Sequence, residues 1–222
     1  MKSTRAPRIK ICCISSVEEA ALAVEYGASA LGLVSHMPSG PGVIPEDRIA
    51  EIAATVPPAI GSFLLTSKQD AHEIIAQHHR CRTNCIQVCD RLISGSYRDL
   101  KDALPGVSIV QVIHVADDAS VEEALSVAPE VDALLLDSGN QSLAVKELGG
   151  TGRTHNWSLS RVIREQAGVP VFLAGGLYAG NAKQAIVEVE PFGLDICSGV
   201  RTEGKLDRAK LGAFFEAVKS AA

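Results

Sequence analysis

Two kinds of residue in this chain are placed to move protons. Cys12 and Cys13 close the short run Ile9–Cys13, and Asp137 closes the hydrophobic run LLLDS. A carboxylate flanked by apolar neighbours can have its pKa raised far enough to act as a neutral acid, and a thiol becomes a base when a cation or helix terminus lowers its pKa. Each has a plain structural alternative: a strand-end aspartate can cap the loop after it, and a buried thiol serves equally as a small apolar residue. Glycine-rich stretches offer a second chemistry. They are ELGGTGRTHNW, LAGGL and CSGVR. Glycine lets backbone N–H groups approach an anion closely, often at positive φ. Gly150, Gly152, Gly175, Gly176, Ser198 and Gly199 are therefore candidates for holding a phosphate, against the alternative that they only make tight turns.

Six cysteines suit reduced thiols in a cytosolic chain. Cys81, Cys85 and Cys89 sit four apart after His78 and His79. That spacing matches no standard zinc motif, so no metal is expected. The plainer reading puts Cys85 and Cys89 on one face of a buried strand and Cys81 in the loop before it.

Something must hold these groups in place, and the chain alternates strand with helix. Short apolar runs cover Ile9–Cys13, Ala30–Val34, Ala59–Leu65, Cys85–Cys89, Ser108–His114, Ala133–Asp137, Val169–Ala174 and Gly193–Cys197. Continuous apolar runs suit strands covered on both faces, as in parallel sheets. Between them lie amphipathic segments such as SVEEAALAVEYG, which opens on a serine cap and stops at Gly27, and PEDRIAEIAATV, whose proline suits a first helical turn. Eight such pairs without a linker predict a TIM (β/α)8 barrel, a single domain over residues 1–222. An open doubly wound sheet would place a glycine fingerprint after its first strand, where this chain has CCISS. In a barrel the site lies at the C-terminal ends of the strands, and the loops after strands seven and eight commonly take phosphate. The strand ends carry Cys12, Cys13, Cys89, Asp90, His114, Asp137, Ser138, Cys197 and Ser198, with Asp195 on the same face as Cys197.

Composition narrows the partners. The net charge of -5 and an aromatic content of 4% exclude a basic or stacking nucleic-acid surface. No run approaches the ~20 apolar residues of a membrane span, and the apolar run after the basic start is too short for a signal-peptide core. The expected location is cytoplasmic, and the expected partner is a small phosphosugar, without nucleic acid or membrane. The sequence leaves the oligomeric state open.

The same residues resemble a known family. KIC at the first strand, then GASALGLV, LLLDS, GGTGRTHNW, FLAGGL and GLDICSGVRTEGKLD, are similar in order and spacing to phosphoribosylanthranilate isomerases. That resemblance implies an Amadori rearrangement in tryptophan biosynthesis, converting an N-(phosphoribosyl)anthranilate aminoaldose to the open-chain aminoketose. It implies Cys12 as general base, Asp137 as general acid, Asp195 as a substrate-site residue, and no cofactor or metal. The chain departs from the family pattern at three places. The family glycine after the cysteine is Cys13, the strand-four Gln-Leu-His-Gly reads Gln87-Val88-Cys89-Asp90, and the Ser-Pro-Arg loop whose arginine holds the anthranilate carboxylate reads Gly40-Pro41-Gly42. Arg153 or His36 could supply a cation instead, and an arginine restored at position 42 should tighten substrate binding. The alternative is a phosphosugar-binding barrel that changed its substrate to that of another isomerase, an epimerase or a lyase.

Overall fold

The computed structural model describes residues 6–139, 143, 145–150 and 152–221. Eight parallel strands close into a barrel in sequence order: β1 (Arg8–Ile11), β2 (Ala30–Val34), β3 (Gly61–Thr66), β4 (Cys85–Val88), β5 (Ser108–His114), β6 (Ala133–Asp137), β7 (Val171–Leu173) and β8 (Gly193–Ile196). The helices between and after them are α1 (Val17–Glu25), α2 (Glu46–Thr55), α3 (Ala71–Cys81), α4 (Tyr97–Ala103), α5 (Asp118–Val127), α6 (Trp157–Gln166), α7 (Ala182–Val189) and α8 (Arg208–Lys219). The eightfold alternation read from the sequence is therefore present.

Local chemistry starts most of the helices. Ser16, Asp70, Asn156 and Asp207 each accept a backbone N–H of the first turn, and Ser96 with Asp99 and Asp117 with Ser120 form reciprocal capping boxes. Pro45 stands just before α2 as its extended N-cap residue rather than inside its first turn. Cys81 is the last, fully buried residue of α3 and not part of a loop. Cys85 and Cys89 do face the same side, packed with the barrel interior. His78 bonds the Thr83 carbonyl through Nε2 at 2.7 Å, and no three metal-ligating side chains converge among the described residues.

The period-two rule then sorts each strand into two layers. Leu134 and Leu136 face outward into the core beneath the helices, while Ala133 and Leu135 face the barrel interior. Asp137 continues the inward set. By the same parity Lys10 and Cys12 point inward from β1, Asp195 and Cys197 from β8, and Gln87 and Cys89 from β4. Strand ends differ from the sequence reading where the backbone cannot continue the ladder. The chain leaves β1 after Cys12, whose N–H still bonds the Ile196 carbonyl at 2.8 Å, because Cys13 turns to φ +61°. β7 begins only after Pro170, which has no N–H to give. A small hairpin that the apolar pattern did not signal, β9 (Arg201–Thr202) with β10 (Lys205–Leu206), turns at Glu203–Gly204 with both φ values positive.

Phe214 of α8 is among the largest fully buried side chains. Phe214→Ala should cost about 3–5 kcal/mol, read as a lower urea midpoint with an unchanged slope.

Candidate active site

One cavity opens at the C-terminal end of the barrel. Cys12, Asp137, Asp195, Gly150, Gly152, Gly175, Gly176 and Ser198 all line it. The strand-end residues Asp90, His114 and Ser138 lie outside this cavity. Gly199 also stands behind the wall: a Cβ there would sit 2.0 Å from the Leu177 carbonyl oxygen. Its lack of a side chain lets the loop after β7 pack on the turn after β8.

Beneath the cavity, reached from it only through Asp195, lies a buried ion pair. Lys10 Nζ lies 2.9 Å from Asp195 Oδ1, and both side chains are nearly inaccessible. Burial alone would lower the Lys10 pKa, but Asp195 and then Cys12 override it and hold the ammonium above its ordinary value. Burial pushes the Asp195 carboxyl up, and Lys10 opposes that. The thiol of Cys12 sits above this pair. A methyl on Gly32 would meet Cys12 Sγ at 2.9 Å and Lys10 Nζ at 3.1 Å, so the glycine leaves room for both. Arg201, at 8% exposure, clamps the same peptide from below: its Nη2 donates to the carbonyls of Cys12 at 3.0 Å and Cys13 at 2.7 Å, and its Nη1 pairs with Glu19 at 2.9 Å. Neither Lys10 nor Arg201 was singled out as a site residue from the sequence. The inward parity of Lys10 with Cys12 was the available signal; for Arg201 there was none, because Glu19, Cys13 and Cys12 lie 182 to 189 residues away from it.

Asp137 faces the cavity from the opposite wall, with β7 and β8 between it and Cys12 on that side of the ring. Its Oδ1 accepts the Ser138 N–H at 2.7 Å. Gly149 lies over it so closely that a Cβ there would be 2.6 Å from Oδ2. His155, neighbouring Asp137, is pushed down to about 4 by burial, with Asp137 opposing, so its ring is neutral at pH 7. The glycine loops meet between the two walls. Gly175 and Gly176 have φ of +82° and +62°, and side chains there would strike the Arg153–Thr154 backbone. Bulk at Gly176 would therefore displace the β6–α6 loop as well as crowd the cavity. Val34, Met37, Leu65 and Leu148 give the rest of the mouth an apolar wall.

The family model described as N-(5'phosphoribosyl)anthranilate (PRA) isomerase matches residues 9–217. The chain belongs to the N-(5'-phosphoribosyl)anthranilate isomerase family. It is 31% identical to the isomerase of Methanocella arvoryzae over 96% of this chain and 98% of that one. It resembles the crystal structure of the Thermotoga maritima isomerase with a TM-score of 0.80 at 26% identity, covering 96% and 99% of the two chains. A further isomerase structure, solved in complex with reduced 1-(o-carboxyphenylamino)-1-deoxyribulose 5-phosphate, superposes with a TM-score of 0.77 at 25% identity over 96% of this chain and 99% of that one.

Two departures from the isomerase pattern touch each other. Cys13 adopts φ +61°, the left-handed region that explains a glycine in the family motif. A Cβ on Gly42, itself at φ +80°, would lie 2.5 Å from Cys13 Cβ. A side chain at position 13 has thus been accommodated by removing the one at position 42. Among the described residues no lysine or arginine lines the cavity. Arg153 pairs with Glu147 outside it, and His36 lies exposed on the β2–α2 loop. Restoring an arginine at position 42 alone would not tighten substrate binding as the sequence suggested, because Cys13 occupies the space.

Gly42→Arg should destabilise the protein by about 1–3 kcal/mol through overpacking and backbone strain. In the Cys13→Gly background the loss should shrink, giving a coupling of about 0.5 kcal/mol or more in a four-protein urea cycle. Additive effects would show that the two positions do not share this space.

Proposed function

We propose that this chain catalyses the Amadori rearrangement of N-(5'-phosphoribosyl)anthranilate to the open-chain aminoketose in tryptophan biosynthesis. The observation that carries this reading is one cavity with a thiol on one wall, a carboxyl on the other, and glycine loops between them. Asp137 gives a proton to the ribose ring oxygen, which breaks the C1–O bond and leaves an imine at C1. The imine makes the C2 proton acidic, and the Cys12 thiolate, above the Lys10 ammonium, removes it. The resulting enolamine is reprotonated and settles as the aminoketose. Proton transfers of this kind typically supply ~10²–10⁴-fold each.

The backbone of Gly150, Gly152, Gly175, Gly176 and Ser198 holds the phosphate, with Gly199 allowing the last turn to close on it. Asp195, which lines the cavity and is held by Lys10, serves as the substrate-site carboxylate. The apolar wall takes the anthranilate ring. One domain carries the whole site, acting in the cytoplasm on a soluble phosphosugar.

Purified protein should consume phosphoribosylanthranilate in a fluorescence assay. Cys12→Ser and Asp137→Asn should each lower kcat by ~10² or more and leave KM much less affected. A wild type that binds a ribose phosphate yet leaves phosphoribosylanthranilate unchanged would place this chain with barrels that changed substrate.

A further inference from the structure

Cys13 combines three observations that the isomerase chemistry does not use. Its left-handed φ of +61° is a conformation that side chains rarely adopt. Gly42 leaves the space its side chain fills. Its Sγ lies 2.8 Å from Cys197 Sγ, across the seam where β8 pairs with β1 and 184 residues away in sequence. That separation exceeds the ~2.05 Å of a covalent S–S bond by less than an ångström.

The surroundings treat the two thiols differently. Hydrogen bonding with Cys13 and the neighbouring Arg201 charge pull the Cys197 thiol down against its burial. Contacts with Cys12 and Cys197, and then burial, push Cys13 well up. Arg201 Nε is buried and has no partner, which leaves the guanidinium a donor to offer beside a thiolate. One sulfur is thus poised as the nucleophile and the other keeps its proton. Three other thiols are less reactive by burial: Cys81 is pushed up to about 12, Cys85 to about 11, and Cys89 higher still.

We propose that Cys13 and Cys197 form a reversible oxidation site, which a hydroperoxide converts to a disulfide across the β1–β8 seam. The Cys197 thiolate attacks the peroxide: an S–O bond forms, the O–O bond breaks, and the leaving oxygen takes a proton to become an alcohol or water. The sulfur is oxidised by two electrons to the sulfenic acid, and the peroxide is reduced. Cys13 then attacks that sulfur, the S–S bond forms, the S–O bond breaks, and hydroxide leaves with the Cys13 proton as water. A thiol reductant reverses the change. The link would tether the peptide carrying Cys12 to the turn carrying Ser198, so the oxidation state of this pair acts on the site's geometry. The proposal does not depend on which sugar the cavity takes.

The test treats the reduced full-length chain with stoichiometric hydrogen peroxide, alkylates the remaining thiols, and reads intact mass and peptide map. The six free thiols should fall to four alkylatable ones, with the loss of two hydrogens, a cross-linked peptide pair joining Cys13 to Cys197, and recovery of all six in dithiothreitol. In Cys13→Ser, Cys197 should accumulate as a sulfenic acid trapped by dimedone. In Cys197→Ser, Cys13 should stay alkylatable. If Cys13→Ser does not fold, Cys13→Gly serves in its place. Six alkylated thiols after peroxide, a cross-link made by Cys12, or oxidation of Cys13 without Cys197 would each overturn the proposal.

Discussion

The ion pair between Lys10 and Asp195 is the constraint on which the mouth of this barrel depends. Lys10 and Asp195 are direct register partners in the β1–β8 pairing that closes the ring. Two charges taken out of water are tolerated only together. Removing one would leave the other unpaired in the barrel interior, at a cost of about 3–5 kcal/mol. The pair therefore fixes register at the seam, and register fixes what stands above it. Two residues further along each strand, on the same face, come Cys12 and Cys197. A slip of one residue would turn Cys12 and Asp195 out into the helix layer. Charge, strand closure and the placement of the Cys12 thiol are one constraint.

Above that pair the site is shaped by what is missing. Gly32 leaves space for Cys12 Sγ and Lys10 Nζ, Gly149 admits the Asp137 carboxylate, and Gly175 and Gly176 admit the β6–α6 loop. Gly42 makes room for Cys13 in the same way. Two departures from the family pattern thereby become one exchange of volume between the loops after β1 and β2. The exchange removes the arginine expected at the carboxylate end and brings a second thiol beside Cys197.

Most of the site was legible in the sequence because parallel barrels convert strand ends into a site by a simple parity. Cys12, Asp137 and Asp195 could be found from apolar runs alone. So could the loops at Gly150, Gly152, Gly175, Gly176 and Ser198, from glycine spacing and loop order. What could not be read depended on contacts between distant segments. The Arg201 clamp on Cys12 and Cys13, the contact of Gly42 with Cys13, and the role of Gly199 against Leu177 leave no local pattern. The β9–β10 hairpin was missed because two-residue strands carry no periodicity. Cys81 was placed in a loop, but its helix runs two residues past His79 and ends at Cys81, before a left-handed Arg82.

The arrangement of acid, base and phosphate loops around one sugar is tested most directly by a crystal structure of this protein with the reduced aminoketose product analogue. The account predicts the phosphate against the backbone of Gly150, Gly152, Gly175, Gly176 and Ser198. It places the ribityl chain between Cys12 Sγ and the Asp137 carboxylate, and the ring against Val34, Leu65 and Leu148. A phosphate bound elsewhere, or a sugar chain out of reach of either Cys12 or Asp137, would contradict it.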